Sequence, residues 1–195
     1  MNGDAIISVA DSLAAKLPPR DAIRIISQIL RGVFDIDRLS LAIYDHSRDD
    51  FDIAVVEVDT SSKYGPGIRL PRRDTRIVDA FTSMQPRVGS DLRCDKRFKE
   101  DSYLAAEGMR TGLSVPLICN GKGVGTLNID WRKRSAVNTA RIATFVALAG
   151  ALARTESLSG LAQNFALHSG GSGQPDIDLV LQRPSLRKHA PVLKR

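Results

Sequence analysis

The chain has 195 residues, 43% hydrophobic and 26% charged, with a formal net charge of +6. That length suits one ordinary domain with extensions, and that composition is typical of globular proteins, so disorder is not the default. From Ile177 to the end, five basic side chains against Asp178 hold +4 of the charge, leaving the body at +2 and without a nucleic-acid-binding surface.

No apolar run approaches the roughly 20 residues that cross a bilayer, and Met1 to Ala10 lacks the pattern of a secretory signal, so the expected location is cytoplasmic, with no membrane contact. Cys94 and Cys119 match no zinc spacing and cannot build a disulfide framework; both are expected as free thiols. No metal site is expected.

In chain order, Ile6, Val9, Ala10, Leu13 and Leu17 predict a helix over residues 5–17 that Pro18-Pro19 ends. A second helix follows, with Asp21 as N-cap or first-turn acid and a stripe of Ala22, Ile25, Ile26, Ile29 and Val33. Leu39 to Tyr44 and Phe51 to Val58 read as an antiparallel pair across a polar turn. After a Gly-Pro-Gly loop, Asp74 is placed to cap a short helix running to Met84, with Ile77, Val78 and Phe81 inward. Arg87 to Gly89 is a short extended piece, and Asp95 to Glu107 reads as an irregular or helical lid.

Thr111 to Cys119 and Gly123 to Trp131 are the strongest strands, joined by Asn120-Gly121, the dipeptide best suited to a tight hairpin. A long helix is predicted from Val137 to about Phe165, with Ile142, Phe145, Val146, Ala149 and Leu152 facing the sheet and Ala140, Ala143, Ala147, Gly150, Ala151 and Arg154 forming a second seam. The expected organisation is an N-terminal helix at 1–19, a sensory domain at 20–165, a flexible linker at 166–176, and a basic tail or the start of a further region at 177–195. The fold class is α+β.

The stretch Glu107-Gly-Met-Arg-Thr-Gly-Leu-Ser-Val-Pro-Leu117, followed by Gly121-Lys-Gly-Val-Gly-Thr-Leu-Asn-Ile129, resembles the two central strands of a GAF domain. Asp91 to Phe98 and the final helix follow the same pattern, so the resemblance spans about Arg20 to Leu161. It is similar to the N-terminal sensory GAF modules of bacterial transcription activators and signalling proteins. This implies a central antiparallel sheet with terminal helices on one face and a ligand pocket, roofed by short helices and loops, on the other. Strand alternation then sends Leu113, Val115, Leu117, Leu127 and Ile129 toward the helices. Thr126, Asn128, Asp130, Gly112 and Ser114 face the pocket.

The candidate ligand-binding residues are therefore Tyr103, Arg110, Gly112, Ser114, Asn128 and Asp130. A carboxylate on an inward strand face needs a partner, and Arg110 is the expected one for Asp130, either as a structural salt bridge or as a ligand-orienting pair. No cofactor is expected: the three histidines, His46, His168 and His189, fall in a turn, at a helix end and in the tail, which disfavours haem. The lid has no cysteine for a bilin, and the Asn-Lys, Phe and Asp-Glu signature of cyclic-nucleotide-binding members is absent. Gly121-x-Gly-x-Gly125 joins two strands, not a strand and a helix, and so reads as a hairpin and not a phosphate loop.

Cys94, between Arg93 and Lys96, is set among positive charges that favour a thiolate, which raises the free methionine sulfoxide reductases as an enzymatic alternative. Cys94 lies 21 residues before Val115 and is the first cysteine of the chain, which departs from their spacing. The expected function is thus a non-catalytic cytoplasmic sensor that binds a small molecule or protein partner and signals through its terminal helices to a transcriptional output. A pure dimerisation or interaction module is the other alternative. The expected partners are an unknown small molecule, a second copy of the chain packed through the terminal helices, and an output domain or effector.

Overall fold

The computed structural model describes residues 19–58, 69–70, 73–95, 97–134 and 137–154, with a few isolated positions before residue 19. The predicted linker, the basic tail, most of the first predicted helix and the last turns of the long helix lie outside them. Among the described residues no helix is long and apolar enough to cross a membrane.

The isoleucine stripe forms α1 (Pro19–Phe34), which starts two residues earlier than Asp21 and keeps that acid in its first turn. Proline suits this position because the first N–H of a helix has no intrahelical partner. Next come β1 (Arg38–Asp45), β2 (Asp50–Val58), the two-residue β3 (Arg69–Leu70) and α2 (Arg76–Ser83). Thr75, not Asp74, caps α2: its hydroxyl accepts from the Val78 N–H at 3.1 Å, while Asp74 has a positive φ of 63°. The lid is a regular helix, α3 (Lys99–Ala106), reached through β4 (Arg87–Gly89).

The hairpin pairs β5 (Thr111–Cys119) with β6 (Lys122–Trp131), and its turn residues Asn120 and Gly121 have φ of 50° and 73°, as a tight two-residue hairpin demands. In α4 (Thr139–Ala153), Asn138 supplies the N-cap by accepting from the Arg141 N–H at 2.9 Å.

The sheet is antiparallel, in the order β3-β2-β1-β6-β5-β4, so β1 and β6 meet at its centre. One face is apolar. Leu39, Leu41, Leu113, Val115, Leu127 and Ile129 pack there against Ile26 and Leu30 of α1 and Phe145, Leu148, Ala149 and Leu152 of α4. Trp131 closes this core, its indole N–H donating to the Phe34 carbonyl at 3.2 Å. Leu148 takes the sheet-facing place predicted for Val146, which is 42% exposed, and Ala151, predicted for the outer seam, is buried. The spacing Phe145, Leu148, Ala149, Leu152 is the ordinary i, i+3, i+4, i+7 stripe. The other face, called here the polar face, carries a smaller cluster of Ala42, Phe51, Ile53, Ile77 and Leu104 beside a group of buried charges.

Candidate functional site

Strand alternation places Gly112, Ser114, Asn128 and Asp130 on the polar face, in register: Gly112 opposite Asp130 and Ser114 opposite Asn128. The same period adds Arg38 and Ser40 from β1, which sit opposite Asp130 and Asn128. These six positions form one contiguous patch at the β1-β6-β5 centre.

Arg76 fills the space above this patch. It is the first residue of α2 and is 1% exposed. Its Nη1 donates to Asp101 Oδ1 at 2.7 Å, its Nη2 to Asp130 Oδ1 at 2.9 Å and its Nε to Ser114 Oγ at 3.2 Å. Glycine is required beneath it: a Cβ at residue 112 would collide with the guanidinium, and one at residue 89 would lie 2.7 Å from Nη1. Arg38 binds the other side of Asp130, its Nη1 lying 3.0 Å from Oδ2 and 3.1 Å from Ser40 Oγ. Two guanidinium groups therefore share one buried carboxylate, as burial of a charge demands.

The lid joins this network through its first turn. Glu100 Oε1 accepts from the Arg76 N–H and, at 3.2 Å, from the Ile77 N–H, so α3 caps the N-terminus of α2. Burial pushes the Glu100 carboxyl up to about 7, against the pull of Arg76. Burial likewise lifts Asp101 to about 6; Arg76 opposes this and the neighbouring Asp130 charge adds to it.

Arg110 does not reach Asp130. It precedes β5, and its guanidinium pairs with Asp91 at 3.1 Å, holding that carboxyl below its usual range. The expected Arg110–Asp130 pair is thus replaced by Arg38 and Arg76 on Asp130 and by Asp91 on Arg110. Tyr103 packs against the apolar cluster of the polar face. Asn128 donates its amide to the Ser40 and Thr126 carbonyls at 3.5 Å each. Arg38 was readable from the period-2 pattern of β1, which aligns it with Ser40. Arg76 carried no signal, because an arginine at a helix start is ordinarily a solvated one.

An apolar groove of about 500 Å³ lies elsewhere, between α4 and the rim of β5. Ile142, Val146, Val115, Ile118, Met84 and Pro86 line it, and none of the six predicted ligand residues does. Cys94 is exposed in the loop before α3, near the start of β5, since the neighbouring Leu92 N–H bonds to the Arg110 carbonyl. Cys119 ends the same strand, so the two thiols are separated by roughly 26 Å at strand rise, far beyond disulfide reach. Among the described residues, no group of histidine, cysteine and acidic side chains is arranged to hold a metal.

The GAF domain family model matches residues 18–155. The chain belongs to the GAF domain family. No curated protein matches it. Among solved structures, it is similar to the GAF domain of a phosphoenolpyruvate-protein phosphotransferase from Coxiella burnetii, at 21% identity and a TM-score of 0.71, covering 84% of this chain and 98% of the other. It is also similar to free methionine-R-sulfoxide reductase from Neisseria meningitidis, at 15% identity and 0.65, over 83% and 90% of the two chains. The GAF domain of a sensor histidine kinase from Bacillus halodurans matches at 21% and 0.60, over 76% and 96%. At these identities the likeness carries the GAF fold and no more.

Proposed function

We infer that this GAF domain is a non-catalytic regulatory module of the cytoplasm: a small molecule or protein partner engages the polar face, and α1 and α4 pass the change to an output that regulates transcription. The observation that supports this reading is the double use of β6. Its Leu127 and Ile129 pack against the terminal helices while Asn128 and Asp130 serve the polar face, so a shift of that strand is felt on both sides. The remote cysteines and the ion-paired carboxylates argue against the reductase alternative, which needs a resolving thiol near the attacking one.

The direct test is to assay the purified chain for free methionine sulfoxide reduction and thiol peroxidase activity, and to follow hydrogen exchange in α1 and α4 on addition of a compound that binds. The expected result is no turnover and altered protection of both helices. Robust turnover, or binding that leaves the helices unchanged, overturns the reading. A second reading, an interaction module whose pocket is filled by its own side chains, draws on one observation: the Arg76 guanidinium already occupies the space over Gly112.

A further inference from the structure

The buried residues of α3 are Glu100, Asp101 and Leu104, so two of the three side chains that seat the lid are acids. An element held by so little apolar surface opens locally at lower cost than the whole fold. Polar contacts to α2 and its approach fasten it instead. Glu100 Oε1 accepts from the Arg76 and Ile77 N–H groups, Asp101 Oδ1 accepts from Arg76 Nη1, and the Lys99 N–H donates to the Asp74 carbonyl at 2.7 Å.

The charges beneath this lid do not balance. Arg76 from α2 and Arg38 from β1 share Asp130 of β6, Arg76 also holds Asp101, and β5 adds only the uncharged Ser114. Two cations thus meet two carboxylates, each at most 1% exposed. Glu100, equally buried, is a third carboxylate, and among the described residues no basic side chain pairs with it. The other charged groups around α3 cancel in pairs: Asp95 with Arg97 in the preceding loop, Asp79 with Arg87, and Lys99 with Asp74 at 4.0 Å. An ionised Glu100 therefore leaves one buried negative charge in excess, and its Oε2 has no hydrogen-bond partner among the described residues. Such a group either keeps its proton or moves to water.

We propose that Glu100 is a proton-operated latch: protonated, it seats α3 on the N-terminus of α2, and on losing its proton it leaves the interior and releases the lid while the sheet stays folded. The latch requires no ligand and stands apart from the sensory reading. Burial raises the Glu100 carboxyl from 4.5 to about 7 in the seated lid, so the released state gains population as the pH rises through that interval and levels off above it. Asp101, lifted to about 6 by burial, acts in the same direction.

The test is amide hydrogen exchange of the full chain at pH 5.5 and pH 8, in low urea and corrected for intrinsic exchange. The opening equilibrium at the Arg76 and Ile77 amides and across α3 is expected to rise at least about tenfold between the two. These amides should open more readily than those of β5 and β6 and with little dependence on urea, which marks local release. In Glu100→Gln the rise should drop below about fivefold, the remainder coming from Asp101. Carbon-13 titration of the Glu100 carboxyl in the parent protein keeps the test open if that variant does not fold, and it should place the midpoint well above the ordinary carboxylate range. A midpoint within that range, no rise with pH, or a rise that Glu100→Gln leaves unchanged overturns the latch. So does exchange in α3 with the urea dependence of the sheet.

Discussion

At the start of α2 a cationic side chain stands where the helix dipole is itself positive, so Arg76 gains nothing from its own helix. Its stabilisation comes from Asp101, Asp130 and Ser114, and its removal leaves Asp101 buried without its cation. Arg76→Met, which keeps much of the volume, is therefore expected to destabilise the domain by about 3–5 kcal/mol in urea denaturation. Arg38 still binds Asp130 in that variant, so a further Asp101→Asn change should recover part of the loss. A loss below about 1 kcal/mol for Arg76→Met would show the network to be energetically idle.

Among the elements, α3 is tied down by groups that titrate. The Glu100 and Asp101 carboxyls are raised in the folded state, so the folded protein holds protons that the unfolded chain has released. Stability is therefore expected to fall as the pH rises from about 4.5, the ordinary carboxylate range, to about 7, and then to level off. Glu100→Gln keeps an oxygen for the two N–H groups of α2 and removes the charge. It should stabilise by about 1–3 kcal/mol at pH 8, leave stability at pH 4.5 nearly unchanged, and flatten the profile between. Melting curves across that range decide it, and a variant with the parent's slope would disprove the role of Glu100.

The strands that carry this arrangement were legible in the sequence because period-2 alternation and the Asn-Gly turn leave one register for β5 and β6. The same alternation aligned Gly112, Ser114, Asn128 and Asp130 correctly. What it could not supply was the group above them. Arg76 enters from a helix 54 residues before Asp130, and Arg110 sits one residue outside its strand, where alternation no longer governs direction. On α4, an alanine-rich sequence has nearly equivalent faces, which is why Leu148 takes the sheet-facing place read for Val146.

For the molecule as a whole, α1 and α4 cover one sheet face and leave Ala143, Val146 and Ala147 of α4 exposed. Small residues admit a second helix at about 8–10 Å, and a two-fold pairing of copies through this surface is the expected assembly. Ala147→Glu should then yield monomers by light scattering with the melting temperature of the sheet core retained. A monomeric parent at micromolar concentration would remove the expectation.

The central pairing of β1 with β6 also bears on how the chain reaches its fold. Residues 38–43 find their partners near residues 125–130, so most of the polypeptide must be synthesised before the middle of the sheet can close. Contacts of such sequence separation form late, after a large loop has been ordered. Arg38, reaching Asp130 across 92 positions, is expected to pair at that last stage. Changes to the ion network should therefore show mainly as faster unfolding with little effect on the folding rate, which makes the buried charges a brake on opening more than a guide to assembly.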